Sequence, residues 1–302
     1  MARVAVIGVV GRTNAGKSSL VNTLVGEKVS IVSPVEQTTR NTVRGIVADP
    51  RGQLVLLDTP GLHKAEGHLG TLLNRMARRS AAGTDILCVV FDVAEQPQLE
   101  DIGWMQRVAR EVPEKVVFVL NKCDLKPLFE TMYHEAWDEV CAKGPTTCQP
   151  QWVLASAVME NGIASLLDVL FSLAEEGELL FPEDIVTDYP RRLAIADCIR
   201  EKFLGRLHQE LPHELGIIVR KIDENGASWN VAASVLVNRA SQKPIVIGRG
   251  AMNIKAARKA AEKELSEVFG VKVRLELWVD VKPGWMKNDR LLTEMGYLGG
   301  EI

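Results

Sequence analysis

Short apolar runs rich in β-branched residues alternate with helix-length segments through the first half of the chain. Such runs, separated by connections long enough for a crossover helix, are typical of strands buried on both faces of a mostly parallel sheet. The pattern therefore predicts an α/β domain with six strands. The predicted strands are Val4–Val10, Val43–Ala48, Leu54–Leu57, Ile86–Phe91, Val116–Leu120 and Trp152–Ala155.

The second and third of these runs are separated only by Asp49 to Gln53, a stretch that contains Pro50 and Gly52. A connection this short cannot hold a crossover helix, so the two runs are predicted to form an antiparallel hairpin. We expect this hairpin at one edge of the sheet.

A different pattern begins after Glu175–Pro190, a stretch of acidic residues, glycine and prolines that interrupts the helical periodicity. The boundary is placed near residue 180, which gives domains at 1–180 and 181–302. The second pattern predicts a smaller α+β domain. Its predicted elements are a helix at Arg191–Leu207, strands at Leu215–Ile222, Val231–Val237 and Ile245–Ile247, a loop at Gly248–Ala251, a helix at Asn253–Val268 and a strand at Val271–Asp280.

Length and composition agree with a two-domain globular protein. The chain has 302 residues, of which 46% are hydrophobic and 25% charged, and a chain of this length usually exceeds one hydrophobic core. No apolar run approaches the ~20 residues of a membrane-spanning helix. The five cysteines form no CxxC pair, which favours reduced thiols. With no cleavage signal at the N-terminus, we expect a cytoplasmic protein.

The charge is distributed unevenly between the two predicted domains. Residues 1–184 carry 17 Lys and Arg against 24 Asp and Glu, whereas residues 185–302 carry 19 against 15. The second part is therefore the better partner for a polyanion. The excess is small, so charge alone favours nucleic-acid binding only slightly.

A glycine-rich loop follows the first predicted strand and precedes a helical pattern. Its glycines allow backbone N–H groups to surround a polyphosphate, to which the helix N-terminus adds a positive dipole end. Lys17 is predicted to reach the β and γ oxygens and Ser18 to hold Mg²⁺. The predicted contacts are Gly11, Arg12, Thr13, Asn14, Ala15, Gly16, Lys17, Ser18 and Ser19. The alternative, a glycine turn that only begins a helix, is disfavoured by the motifs that follow.

Asp58-Thr59-Pro60-Gly61 directly follows the third predicted strand. A carboxylate at a strand end beside the phosphate loop can orient the water shell of Mg²⁺, and the N–H of Gly61 can approach a γ-phosphate without interference from a Cβ atom. Asp58 and Gly61 of this motif are predicted to be catalytic residues. Lys17 of the phosphate loop is predicted to be catalytic as well.

The motif Asn121–Asp124 follows the fifth predicted strand and indicates a guanine site. Guanine presents an N1–H and a 2-amino group side by side, and the carboxylate of Asp124 can accept both, whereas adenine has neither donor there. Asn121 is expected at the Hoogsteen edge of the base and the stem of Lys122 over its face. Ser156 and Ala157 are predicted to complete the pocket through backbone N–H groups.

In the order of these motifs the chain resembles a P-loop GTPase of the translation-factor class, and over its full length it resembles the bacterial Era GTPases. The second domain of that family is a type II KH fold. Further matches are Gln37-Thr38-Thr39-Arg40, His63, Phe181-Pro182-Glu183-Asp184, Leu275-Glu276-Leu277-Trp278 and Gly284-Trp285. The resemblance implies Mg²⁺ as cofactor. It also implies that Thr39 is the second protein ligand of Mg²⁺ in the GTP state, with Thr38 as the alternative ligand, and that Thr39 is a catalytic residue.

The residue that positions water in Ras-like enzymes, a glutamine, is replaced here by Leu62. His63 follows Leu62, and Arg40 belongs to the segment Gln37–Arg40, which resembles the first switch of the family. Neither His63 nor Arg40 is identified as a catalytic group. Asn14 stands where GTPases often coordinate potassium, which would supply positive charge; the alternative is a hydrogen bond that shapes the loop. We expect slow intrinsic hydrolysis, accelerated by a monovalent cation or a partner.

The second domain resembles a KH module, in which a GxxG loop clamps the backbone of single-stranded RNA. Here the fourth loop residue is alanine instead of glycine. The predicted RNA-binding residues are Gly248, Arg249, Gly250, Ala251, Lys255, Arg258, Lys259 and Trp285. The last of these is expected to stack on a base, although a tryptophan in a C-terminal segment also commonly packs on its own domain.

The family resemblance implies a monomeric GTP- and GDP-binding switch that binds 16S ribosomal RNA near its 3′ end and assists maturation of the 30S subunit. Peripheral association with the inner face of the cell membrane is a further expectation. The alternative function keeps the GTP switch but uses the second domain to dock a protein or a membrane. An ATP-dependent kinase is disfavoured by Asn121–Asp124.

Overall fold

The computed structural model describes residues 1–33, 38–61, 67–81, 83–144, 146–207 and 211–298, with only the backbone described at 67 and 77–81. By its internal contacts the chain divides into two units. The first unit comprises Met1–Ser30, Thr39–Glu66 and Leu73–Asp188, and the second comprises Ile31–Thr38, Gly67–Leu72 and Tyr189–Ile302, so the last division lies between Asp188 and Tyr189. The elements before it are β1 Ala2–Val10, α1 Lys17–Val25, β2 Val43–Asp49, β3 Gly52–Asp58, α2 Gly67–Ala81, β4 Ile86–Asp92, α3 Leu99–Glu111, β5 Val116–Asn121, α4 Glu130–Lys143, β6 Gln151–Leu154, α5 Ile163–Leu173 and β7 Glu175–Gly177.

The first unit contains a seven-stranded sheet in which six strands follow the order β2-β3-β1-β4-β5-β6. Strand β2 runs antiparallel to β3, and the pairs β1–β3, β1–β4, β4–β5 and β5–β6 are parallel. The predicted α/β class and the edge hairpin are therefore confirmed. The predicted number of six strands was wrong, because the short β7 pairs antiparallel with the beginning of β1.

The central strands are buried on both faces, as their continuous apolar runs predict. Cys88 and Val90 of β4 belong to one apolar cluster, whereas Val89 and Phe91 belong to the cluster on the opposite face. Because the parallel strands end at one edge, the register places Val9 opposite Asp58 and Asp92 opposite Asn121. The polar residues that end β3, β4 and β5, which are Asp58, Asp92 and Asn121, therefore lie at the same edge of the sheet.

The segment that leaves the sheet after β7 is hydrogen-bonded along the β2–β3 hairpin. The amide of Gln53, 1% exposed, bonds to the backbone of Leu180 and Phe181. Further along, Ile46 N donates to Val186 O at 2.8 Å, and Arg44 pairs with Asp188 at 2.6 Å. These contacts hold the segment up to Asp188 against the first unit, and the boundary near residue 180 stays a prediction.

The second unit has a separate apolar core built around a three-stranded sheet in the order β10-β9-β8. Strands β8 and β9 are antiparallel, and β10 is parallel to β9. Its elements are α6 Arg191–Leu204, β8 Gly216–Asn225, β9 Ser228–Val237, α7 Gln242–Ile247, α8 Met252–Phe269, β10 Lys272–Val281 and α9 Asp289–Glu294. The order that precedes α9 is αββααβ, and the predicted KH class of the second unit is confirmed.

One predicted strand of the second unit was wrong. Ile245–Ile247 lies in α7 instead, in a short helix that begins at Gln242. Val246 is fully buried in the core, and the Gln242 side chain accepts the backbone N–H groups of Asn238 and Arg239. Tertiary packing and this local hydrogen bonding override the strand preference of three β-branched residues.

Among the described residues, no helix is both long enough and apolar enough to cross a membrane.

Gly52, in the β2–β3 turn, is expected to tolerate no side chain. Its φ is +147°, and a Cβ atom there would lie 1.9 Å from Arg3 O. Gly52→Ala should lower the free energy of unfolding by roughly 3 kcal/mol, at the upper end of ordinary substitutions. As a control, Gly103→Ala adds a Cβ atom in open space on α3 and should raise stability by about 1 kcal/mol. Urea denaturation measures both changes in stability. If Gly52→Ala unfolds at the same urea concentration as the unaltered protein, the strain at Gly52 is contradicted.

Candidate functional site

The predicted phosphate loop lies between β1 and α1, with its glycines where side chains cannot fit. Gly11 has φ +148°, and a Cβ atom there would lie 2.3 Å from Val90 O. Gly16 has φ +91°, and a Cβ atom would lie 2.3 Å from the amide nitrogen of Asn121. The loop therefore packs directly against the ends of β4 and β5, which gives the motif its required context.

Lys17, the first residue of α1, turns its ammonium group back into the loop. Its Nζ donates to Arg12 O at 2.7 Å and lies 3.3 Å from Gly11 O. Burial lowers the pKa of Lys17 to about 8, and the nearby Asp58 carboxylate acts in the opposite direction. The cation is thus held inside the loop by carbonyl oxygens, from where it can reach phosphate oxygens.

Three oxygen-bearing side chains form a site that fits Mg²⁺. The hydroxyls of Ser18 and Thr39 are 2.8 Å apart, close to the about 3 Å between neighbouring ligands of an octahedral Mg²⁺. The carboxylate of Asp58 is fully buried, and within the described part of the chain neither of its oxygens has a hydrogen-bond partner. Burial raises the pKa of Asp58, against the Ser18 hydroxyl and the Lys17 charge, which lower it. A buried carboxylate of this kind fits a cation and its waters.

Gly61 closes the site on the other side of the phosphate loop. A Cβ atom at Gly61 would lie 2.8 Å from the backbone nitrogen of Thr13, so only glycine allows this approach. Arg40 is 1% exposed, so its side chain is buried inside the protein. Leu62 and His63 lie outside the described residues.

Asn121 joins the phosphate loop to the base loop. Its side chain, 1% exposed, donates to Ala15 O at 2.9 Å and accepts from Ala157 N at 3.1 Å. The amide of Asn121 thus holds the two loops together, and its predicted contact with the Hoogsteen edge of the base stays a prediction. Removal of this amide would leave a buried carbonyl and a buried N–H without partners.

The base pocket differs from the prediction in its backbone donors. The N–H of Ser156 donates to Asn161 O, and that of Ala157 donates to Asn121 Oδ1. Neither is therefore directed at a ligand. Instead, the buried hydroxyl of Ser156 lies 2.5 Å from Asp124 Oδ1 and accepts the N–H of Met159. Ser156 thus orients the exposed carboxylate that is predicted to read guanine.

Two buried carboxylates beside the motifs were missed by sequence reasoning. Asp92, at the end of β4, pairs with Lys122, and Asp101, on α3, pairs with Arg12. A signal for Asp92 was present, since it ends a parallel strand at the same edge as Asp58 and Asn121. Asp101 gave no such signal, because its partner lies far away along the chain.

In the second unit the predicted RNA loop is built on left-handed residues. Gly250 has φ +59° and Ala251 has φ +61°, although alanine is strained in this region. Gly248, at φ +76°, would place a Cβ atom 2.8 Å from Asn253 Cγ. Arg249 and Gly250 are exposed. The loop therefore presents its backbone and one arginine to solvent.

The predicted basic residues on α8 follow this loop. Lys255 is exposed and its Nζ lies 3.4 Å from Gly250 O, Arg258 lies 3.9 Å from Glu262, and Lys259 is exposed. Ile245 and Met252, on either side of the loop, are 52% and 65% exposed. A surface that combines exposed apolar side chains with lysine and arginine suits bases and phosphates together.

The structure contradicts the predicted stacking role of Trp285. The ring is fully buried, Nε1 donates to Glu214 O at 3.1 Å, and the ring edge contacts Gly216. No face of the ring is open to a base. Trp285 instead anchors the segment after β10 to the sheet.

The two units match two known families. Residues 6–122 match the family described as 50S ribosome-binding GTPase, and residues 210–286 match the KH domain family. A curated GTPase Era of Lacticaseibacillus paracasei is 34% identical over 299 residues, covering 96% of this chain and 95% of the relative. The GTPase Era of a Geobacter species is 36% identical over 293 residues and covers 96% of each chain.

Solved structures show the same similarity over nearly the full length. An Aquifex aeolicus Era variant bound to GDP and AlF4⁻ aligns with a TM-score of 0.88 and 32% identity, covering 98% of this chain and 99% of the other. Era in complex with MgGDPNP and nucleotides 1506–1542 of 16S ribosomal RNA aligns with a TM-score of 0.90, at the same identity and coverage. The similarity therefore includes both units, each of which also matches its own family.

Proposed function

The chain belongs to the family of Era GTPases, and we propose that it couples binding and hydrolysis of GTP to binding of 16S ribosomal RNA near its 3′ end, in maturation of the 30S subunit. The observation that carries the proposal is the presence, in one chain, of the Ser18–Thr39–Asp58 cluster and a KH unit with a solvent-exposed loop at 248–251. A relative whose solved structure contains both MgGDPNP and 16S ribosomal RNA supports it.

Hydrolysis of GTP follows from the geometry of the first unit. Ser18 and Thr39 would hold Mg²⁺, which would neutralise charge on the β- and γ-phosphates. Lys17 adds a second positive charge from inside the loop, and Asp58 would orient the water shell of the metal. The N–H of Gly61 lies beside the phosphate loop, where it can donate to a γ-phosphate oxygen. Because Leu62 offers no polar atom to position water, slow intrinsic turnover is expected.

A potassium ion at Asn14 is the proposed supplement to this charge. Asn14 has φ +62°, so its backbone turns sharply beside the phosphates. Hydrolysis should be about tenfold faster in potassium than in sodium at equal ionic strength, which is a barrier difference of about 1.4 kcal/mol. Asn14→Ala should remove the difference without abolishing GTP binding. Phosphate release in the two salts measures it, and equal rates in the unaltered protein would exclude the ion.

RNA binding is proposed for the loop at 248–251 together with Lys255, Arg258 and Lys259. The exposed backbone of the loop is suited to close approach by RNA phosphates, and Arg249 compensates for the alanine in the fourth position by pairing with one of them. The left-handed Ala251 costs roughly 1–2 kcal/mol of local strain. Ala251→Gly removes this strain, so it should leave RNA binding equal or tighter.

The test is binding of the full chain to the 3′ end of 16S ribosomal RNA over a salt series, with a GTP analogue, with GDP and without nucleotide. Arg249→Ala should weaken binding and reduce the salt slope by about one phosphate contact. Lys263→Ala, an exposed lysine on α8 paired with Glu267, is the matched control and should change little. If Arg249→Ala alters neither affinity nor slope, the alternative in which this unit docks a protein or a membrane is favoured.

The cytoplasmic location, the monomeric state and the peripheral association with the cell membrane stay predictions.

A further inference from the structure

The guanidinium of Arg12, in the phosphate loop, points away from the phosphate side of that loop. One NH2 group lies 2.7 Å from Glu95 and 3.6 Å from Asp92, and Nε lies 3.2 Å from Asp101. The side chain is 12% exposed. Three carboxylates thus surround Arg12, so its charge is directed to α3 and β4 and is not available as a phosphate-binding finger.

Asp101 makes this interaction a firm one, because it is completely buried. Its Oδ2 accepts the N–H of Gln98 at 3.0 Å at the beginning of α3, and the Tyr133 hydroxyl lies 3.4 Å away. Burial raises the pKa of Asp101, and the charge of Arg12 acts against that shift. A carboxylate buried to this degree needs a cation, and among the described residues Arg12 supplies it.

Asp92 extends the same group of charges to the base loop. It is 2% exposed, its Oδ1 accepts the N–H of Ala94, and its Oδ2 lies 2.5 Å from Nζ of Lys122. Lys122 has φ +68°, an uncommon conformation that neighbouring contacts must maintain. With its ammonium fixed at Asp92, the lysine stem is held where it is predicted to cover the base.

We infer that Asp92 and Asp101 are positioning residues that hold the phosphate loop and the base loop in one fixed arrangement through Arg12 and Lys122. This inference rests on the proposed guanine-nucleotide site. A nucleotide that spans both loops can leave only when the contacts of one loop break, so a fixed arrangement slows its release. Among the described residues, no side chain of the network contacts the proposed metal ligands or Gly61, and only the backbone carbonyl of Arg12 accepts from Lys17. Nucleotide release is therefore the step expected to change most.

The experiment measures dissociation of fluorescent GDP by stopped flow and single-turnover hydrolysis of bound GTP. Asp92→Asn and Asp101→Asn should each raise the GDP dissociation rate at least tenfold and leave hydrolysis of bound GTP within threefold. Arg12→Met should raise the GDP dissociation rate as Asp101→Asn does, whereas Arg12→Lys, which keeps the charge, should stay closer to the unaltered protein in this rate. The Arg12→Met/Asp101→Asn double variant should release GDP no faster than the faster of the two single variants, because each substitution already removes the Arg12–Asp101 ion pair.

Glu111→Gln is the matched control, since it lies on the same helix and pairs with Arg107 at 2.8 Å; its GDP dissociation should be unchanged. Glu95→Gln removes the 56% exposed member of the network and should give a smaller, twofold to threefold increase, which keeps the test open if a buried variant fails to fold. Unchanged dissociation in the folded variants, or effects that multiply in the double variant, would overturn the inference. Failure of the unaltered protein to bind GDP would instead overturn the proposed function.

Discussion

Asp124→Asn should exchange the preference for GTP for a preference for xanthosine triphosphate. The carboxylate of Asp124 accepts two donors from guanine, and an amide can accept only one of them. Loss of this charge-assisted pair should weaken GTP binding by roughly 2–4 kcal/mol. Xanthine has an acceptor at its 2-position, to which the new amide can donate. Competition between the two nucleotides for the Asp124→Asn protein measures the exchange.

Two further variants make this result specific. Ser156→Ala removes only the hydroxyl that orients Asp124, so it should weaken GTP by about 1 kcal/mol and create no affinity for the xanthosine nucleotide. Asp138→Asn changes an exposed carboxylate on α4 and should have no effect. Unchanged GTP affinity in Asp124→Asn would show that the base lies elsewhere.

Thr39→Ala should lower hydrolysis of GTP about a hundredfold, which corresponds to about 2.7 kcal/mol of the barrier. The hydroxyl of Thr39 lies 2.8 Å from that of Ser18, so its removal should take one of the two proposed protein ligands from Mg²⁺ in the triphosphate state. The Mg²⁺ concentration needed for half-maximal rate should rise in parallel, and the affinity for GDP should change little. Single-turnover phosphate release over a Mg²⁺ titration measures both quantities.

The neighbouring Thr38 provides the control, because the sequence alone left either threonine as the ligand. Thr38→Ala should keep the Mg²⁺ dependence of the unaltered protein. If Thr38→Ala shifts this dependence and Thr39→Ala does not, the assignment of the second metal ligand is reversed.

The sequence placed the motifs correctly relative to the strands, because each motif is a local pattern that follows a recognisable apolar run. Gly11, Asp58 and Asn121 follow buried strands, and parallel strands bring their carboxyl ends to one edge of the sheet. The sequence could not predict which groups these residues bond. The amide of Asn121, which is predicted at the base, also bonds to Ala15 and Ala157, partners that only the folded chain brings within reach.

Long-range packing also accounts for the errors in the second unit. The run Ile245–Ile247 consists of β-branched residues typical of a strand, but it lies in a helix. The helix packs Val246 into a core formed by residues distant in the sequence. Trp285 was expected to stack on a base because it is an aromatic residue in a C-terminal segment. Its ring is buried instead, in space that Gly216 leaves free by having no side chain. Both outcomes depend on neighbours that no local pattern specifies.

The segment that runs along the β2–β3 hairpin affects how the first domain behaves when it is isolated. Val186 and Asp188 occupy hydrogen-bonding positions beside β2, the outermost strand of the main sheet path. A protein ending at residue 180 would leave this strand edge open, and open edges pair with other chains. Such a fragment is expected to self-associate, whereas one ending at residue 188 keeps its own cover on the edge and should stay dispersed.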